Sequence, residues 1–272
     1  MVVGAIELHP AFDAVGLLSD YSEVYPDVPT AAWEPYAALY PELFAGTAWR
    51  LPHTCYVVRY AASTVLVDTG VGPPGLWDRT AEEEGLLPRS LDELGISPSD
   101  VDVVLLSHVH IDHLGWNTDL EGVPLFPRAR YVVHADALAF ALSRAGRAHI
   151  QRCVVPLLDR IEQVRGDVEL MSGVTAFGTP GHYPGHLSVR LSSEGVEATI
   201  LGDVAPHPAL LDRVDWRFDF DEDAERNQAV RAELVGELLR GDALAVCGHF
   251  PGSGIGRVEE QDGRVVWREA SA

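Results

Sequence analysis

A seven-residue run, Ser107-His108-Val109-His110-Ile111-Asp112-His113, constrains this chain more than any other, because it crowds four metal-ligating side chains into six positions. In extended backbone, alternate side chains leave on the same side, so His108 and His110 can grip one ion together. Asp112 and His113 lie just beyond, where a turn can aim both at a neighbouring ion. Neutral imidazole suits zinc, iron, manganese or cobalt, and a carboxylate adds the charge that fixes a second cation. The run follows Val101-Asp102-Val103-Val104-Leu105-Leu106, a short apolar segment that reads as a strand buried on both faces. Whatever the fold, it must end a buried strand in a loop of metal donors.

Composition narrows the function classes. The 272 residues carry 41 acidic against 20 basic side chains, a formal charge of -21, and every basic residue is arginine. So acidic a surface repels nucleic acid and anionic membrane, and neither is expected as a partner. Cys55, Cys153 and Cys247 are far apart and odd in number, which argues against a disulfide framework or a thiolate zinc site and for reduced thiols in a cytoplasmic protein. The N-terminal Met-Val-Val-Gly-Ala-Ile has no positive charge ahead of its apolar residues, so no secretory signal is read. No apolar run approaches the ~20 residues of a membrane span.

Along the chain, 2–8 reads as a strand and 9–50 as an irregular arm or lid rich in Tyr21, Tyr25, Trp33, Tyr36, Tyr40 and Phe44. These aromatics either pin the arm to the core or meet substrate. Strands are expected at 54–60 and 64–68, a helix near 75–85, and a helix beginning at Ser90 in Ser-Leu-Asp-Glu-Leu-Gly-Ile. A strand at 129–134 is followed by helices near 135–145 and 150–163. From about 167 short strands resume at Val168–Met171, 173–178, 187–193 and 197–202. The strongest helical spacing lies at 221–240, then a buried strand at 243–248 and a hairpin turning at Asp262-Gly263. Strands and helices in both halves, with no linker between them, indicate one domain over 1–272 with two sheets face to face and helices outside.

Three further motifs place ligand types after apolar strands or in glycine loops: Gly181-His182-Tyr183-Pro184-Gly185-His186, Leu201-Gly202-Asp203 and Cys247-Gly248-His249. Taking one histidine from the glycine loop, the candidate ligands number five histidines and two aspartates. Seven donors are too many for one ion that takes three and a water, but suit two ions sharing a carboxylate.

These residues resemble the metallo-beta-lactamase superfamily, whose signature is HxHxDH followed by a distant His, an Asp and a final His. The likeness runs from Val65-Leu66-Val67-Asp68-Thr69-Gly70 to Cys247-Gly248-His249-Phe250. It implies an α/β fold, a four-layer αββα sandwich with two divalent metal ions at one edge, zinc first and iron or manganese as alternatives. It further implies His108, His110 and His186 on one ion, Asp112, His113 and His249 on the other, and Asp203 between them. Asp68 is expected to orient a histidine or the loop, unless it is only a turn former with Gly70. His182 is expected to support its loop rather than to bind. The branch most resembled contains acyl-homoserine lactonases and methyl-parathion-hydrolase-like enzymes.

The resulting expectation is a hydrolase that uses a metal-bridging hydroxide to cleave a small lactone, ester or thioester, with Asp112 carrying the proton. His207, Tyr183 and Phe250 are candidates for the substrate pocket, against a surface position for the first and core packing for the others. His9, His53, His134 and His149 show no partner in the sequence. Two other classes compete: a mononuclear iron, sulfur-dioxygenase-like oxidoreductase, and a regulatory protein that binds a ligand with little turnover. A homodimer through the aromatic arm is a further expectation.

Overall fold

The two strands flanking Asp68 and Ser107 set the layering. In Ser63–Val67, Val65 and Val67 project to one side and Leu66 to the other, and Val103–Leu105 repeats the pattern with Val103 and Leu105 against Val104. Both sides are apolar, so both must be covered. In the computed structural model, which describes residues 1–74, 76, 81–83 and 85–271, Val65, Val67 and Leu105 meet a second sheet through Leu187, Val189 and Ile200. Leu66 and Val104 instead pack beneath helices through Leu87, Leu91 and Leu138. The far side of the second sheet, with Ala245, Val258 and Trp267, is covered by Leu234, Val235 and Leu238 of the helix Ala224–Arg240. Helix, sheet, sheet and helix follow in that order.

Among the described residues the first sheet has nine strands and the second seven. Ser63–Val67, Val103–Leu105, Arg130–His134 and Ile161–Val164 run parallel, as do Val196–Ile200 and Leu244–Val246 in the second sheet. Parallel strands end on the same edge. The loops beginning at Asp68, Ser107, Gly202 and Cys247 therefore leave the sandwich together.

Several expected elements differ. The strand foreseen at 2–8 is two: Val2–Val3 turns back at Gly4 to pair with Ile6–Asp20, which itself pairs with Ala48–Tyr60, so the 9–50 arm is strand at both ends and leaves the sheet only over 21–43. A register shift between Phe12 and Ala14 breaks the alternation that would have revealed this strand. The helix expected from Ser90 spans Leu87–Glu93, with Pro88 in its first turn, and Ser90 Oγ donates to Phe12 O at 2.6 Å. The helix expected over 150–163 stops at Cys153, just before Pro156, and Ile161–Val164 is a strand. The helix expected near 75–85 falls mostly outside the described residues, and Ala81–Glu83 within it is a strand.

The excursion over 21–43 turns its aromatics inward. Tyr21, Tyr25, Trp33, Tyr36 and Tyr40 are buried against the rest of the chain. They enclose His207, wholly buried, with the rings of Trp33 and Trp49 at 5.2 and 5.4 Å and that of Tyr21 at 5.8 Å. His207 is thus neither a surface residue nor part of a substrate cleft, and its Nδ1 accepts the N–H of Ala209 at 3.0 Å. Phe250 is also core, edge-on to Trp267 at 5.2 Å.

Burial pushes the His207 imidazole from 6.5 down to about 3. The unfolded chain therefore binds the extra proton below pH 6.5, and stability falls as pH falls from there toward 3. Urea unfolding should show wild type losing about 1.4 kcal/mol per pH unit more than His207→Phe between pH 6 and pH 4. Parallel pH profiles for the two proteins would show that the cage exacts no such cost.

Candidate metal centre

Asp68 ends its strand with a left-handed φ of 61°, and this bend returns its carboxylate to the neighbouring strand end. Oδ1 accepts Ser107 N–H at 2.7 Å, and Oδ2 accepts Ser107 Oγ–H at 2.7 Å and lies 2.9 Å from His113 Nδ1. One carboxylate thus fixes both the entry and the exit of the histidine loop. His113 Nε2 is thereby turned inward, buried, makes no hydrogen bond, and faces Asp203 Oδ2 at 3.5 Å.

Asp203 lies at the centre. Its Oδ2 is 3.4 Å from His182 Nε2 and 3.9 Å from His108 Nε2, while Oδ1 is 3.3 Å from His249 Nε2. His110 Nδ1 lies 2.9 Å from His108 Nε2 and 3.0 Å from His182 Nε2. On the other side, Asp112 Oδ2 is 3.8 Å from His249 Nε2 and 3.3 Å from His53 Nδ1. Pro52 O accepts from His249 Nδ1 at 2.6 Å, which leaves His249 Nε2 for the cluster.

The two histidines of the glycine loop exchange their expected roles. His186 has both ring nitrogens occupied, Nδ1 with Thr179 Oγ at 2.8 Å and Nε2 accepting the backbone N–H of Asp203 at 3.0 Å. It has no lone pair left for an ion and instead aims Asp203. Gly202, at φ 57°, makes that approach feasible, since a Cβ there would lie 2.6 Å from His186 Nε2. His182, expected only to support the loop, presents Nε2 to His110 and Asp203. His108, His110 and His182 form one group of converging donors, His108, His113 and Asp203 a second, and His53, Asp112 and His249 a third.

The donor chemistry fits divalent cations. Burial lowers the pKa of His108 and His110, the latter to about 3, which keeps both neutral and able to ligate. Burial works to raise Asp112 and Asp203, but the imidazoles around them prevail and hold both carboxyls well below the usual range. Burial works to lower His113 and His249 too, but the carboxylates of Asp203 and Asp112 prevail and raise both, so the cluster favours positive charge, which divalent cations would also supply.

A cleft of about 370 Å³ opens onto His110, Asp112, His182, Asp203 and His249, with an apolar wall of Leu17, Leu18, Leu51, Phe218 and Phe220. Tyr183 is not part of that wall. It is buried behind the cluster, its ring 4.9 Å from that of His110, and packs among the helices over the first sheet.

The family follows from this geometry and from comparison. The model of the metallo-beta-lactamase superfamily matches residues 48–249. The chain belongs to that superfamily. An N-acyl homoserine lactonase of Bacillus thuringiensis is 29% identical over 173 residues, which make up 58% of this chain and 66% of that protein. One from Bacillus cereus is 29% identical over 167 residues, 56% of this chain and 63% of its own. The match thus spans just under two thirds of these relatives. AidC, described as a dizinc quorum-quenching lactonase, superposes with a TM-score of 0.86 at 21% identity, covering 100% of this chain and 97% of AidC. A probable metal-dependent hydrolase from Staphylococcus aureus gives 0.84 at 19% identity, covering 100% of both chains. These superpositions establish the metallo-beta-lactamase fold.

Sequence reasoning missed His53, which had no partner in the chain's spacing, and Asp221, which accepts from His182 Nδ1 at 3.0 Å and was one acid among many near 215–225. Neither carries a local signal, since their partners lie 59 and 39 residues away in sequence, as 112 − 53 and 221 − 182.

Asp68→Ala would leave two groups of Ser107 and one of His113 without their partner, at a cost of about 1–3 kcal/mol for a buried group left unpaired. Denaturant unfolding should place this variant roughly 3 kcal/mol below wild type. A change under about 0.5 kcal/mol, the range of ordinary surface substitutions, would contradict the stapling role.

Proposed function

We propose that the chain is a binuclear metallohydrolase that opens a small lactone carrying an apolar acyl arm. The observation that carries this reading is Asp203, whose two carboxylate oxygens face imidazole nitrogens on opposite sides. In it, His108, His110 and His182 would hold one divalent ion, Asp112, His113 and His249 another, and Asp203 both, with zinc first and iron or manganese suiting the same donors. Two such ions, when bound, lower the pKa of a shared water toward neutrality and polarise a carbonyl oxygen.

The chain's own residues do the rest. Asp112, ionised and with Oδ2 3.3 Å from His53 Nδ1, can take the proton of the attacking water on that carboxylate and return it to the leaving alkoxide. Leu17, Leu18, Leu51, Phe218 and Phe220 line the cleft beside this carboxylate, so an acyl arm laid against them directs the ester carbonyl toward the donors and displaces water. The lactonase relatives support a lactone as the bond cleaved. The three cysteines, free and buried, suit the cytoplasm. Among the described residues no helix is long and apolar enough to cross a membrane.

A hydrolysis screen over N-acyl homoserine lactones, thioesters, aryl esters and phosphotriesters, run beside elemental analysis, tests this. Lactones should be the best substrates, with about two transition-metal ions per chain, and His108→Ala or Asp203→Ala should lower kcat/KM by at least roughly a thousandfold, as loss of an essential electrostatic group does. Turnover that survives chelation and both substitutions would refute the reading. Within the lactone series kcat/KM should rise with acyl length by up to about 0.8 kcal/mol per CH2 until the cleft is filled. A flat series would remove the acyl-arm assignment.

A further inference from the structure

The segment ahead of the helix Ala224–Arg240 is acidic, with Asp219, Asp221, Glu222 and Asp223. One member is not solvated. The side chain of Asp221 has no exposed surface, nor has that of Arg231, whose Nη2 lies 3.7 Å from Asp221 Oδ2. Asp221 Oδ1 accepts from His182 Nδ1 at 3.0 Å and from Asn227 Nδ2 at 2.9 Å. Arg231 spends its other donors on backbone: Nε to Val204 O at 2.7 Å, and Nη1 to Trp216 O at 2.9 Å and Val214 O at 3.2 Å.

A buried ion pair is a weak source of stability, because desolvating both charges offsets most of their attraction. Its value must be sought in what it orients. We propose that Asp221 is the positioning residue for His182, and that Arg231 holds Asp221 and the Asp203 loop in a common register. The inference rests on the metal-centre reading above. A carboxylate on Nδ1 keeps the proton there and leaves the Nε2 lone pair for the cluster, where it faces His110 and Asp203. Two other contacts hold the same ring in place. Phe218 stacks on His182 at 5.8 Å and 16° between planes. Gly181, at φ 144°, lets the loop press on the helix start, where a Cβ would fall 2.4 Å from Asn227 N. Val204, whose carbonyl Arg231 binds, adjoins Asp203. One guanidinium therefore ties the backbone behind the central carboxylate to the carboxylate behind His182.

Zinc competition against a chromophoric chelator, with long-range proton–nitrogen spectra of the histidine side chains, tests this without measuring turnover. Wild type should take up two zinc ions and show His182 protonated at Nδ1. Asp221→Asn should weaken one of the two ions by about 10–100-fold, the usual effect of losing such a partner, and give His182 a mixture of tautomers. The double variant D221N/R231M leaves no lone buried charge and serves if Asp221→Asn fails to fold, with the same two changes expected. A folded variant that keeps both ions at wild-type affinity and His182 in one tautomer would overturn the proposal. If wild type itself takes up no zinc, the metal-centre reading falls, and the tautomer comparison between wild type and variant still decides whether Asp221 sets the His182 ring.

Discussion

A carboxylate surrounded by imidazoles is the interaction on which this structure turns. Asp203 comes from the second sheet, while His108 and His113 come from the first, so the site joins the two halves of the sandwich at their common edge. The arrangement is possible because parallel strands deliver their loops in one direction, and it is held because partners stand behind four of the converging residues. Asp68 stands behind His113, Pro52 O behind His249, His186 behind the backbone of Asp203 and Asp221 behind His182. Such a shell fixes ring orientation before any ion arrives.

Much of this was legible in the sequence, for physical reasons. Short apolar runs ending in clustered polar residues report strands that stop at a functional edge, and Val103–Leu105 and Leu244–Val246 both do so. The histidine run announces its chemistry because donors at alternating and adjacent positions have few other uses. Spacing failed where two histidines share one glycine loop. His182 and His186 have similar surroundings in the chain, and only the fold shows that the second, next to the strand Leu187–Ser193, turns back on Asp203 N–H.

The other omissions have a common cause. His53 and Asp221 matter through partners distant in the chain, and the strand Ile6–Asp20 was hidden by a bulge that displaces its alternation. The aromatic excursion left two readings open. Its composition suited either an arm pinned to the core or a surface for substrate, and the fold takes the first: those rings are buried, several of them around His207, and close the outer side of the second sheet. An aromatic-rich irregular segment thus serves here as core supplied from outside the regular elements.

Phe218 stacks on His182 and also stands in the apolar wall of the cleft, and the segment that carries it leads directly to Asp221. The ring that would meet a substrate on the proposed reading is therefore the same ring that packs on His182. A change made there to widen the cleft would reach His182 as well, a coupling that follows from one residue serving both places.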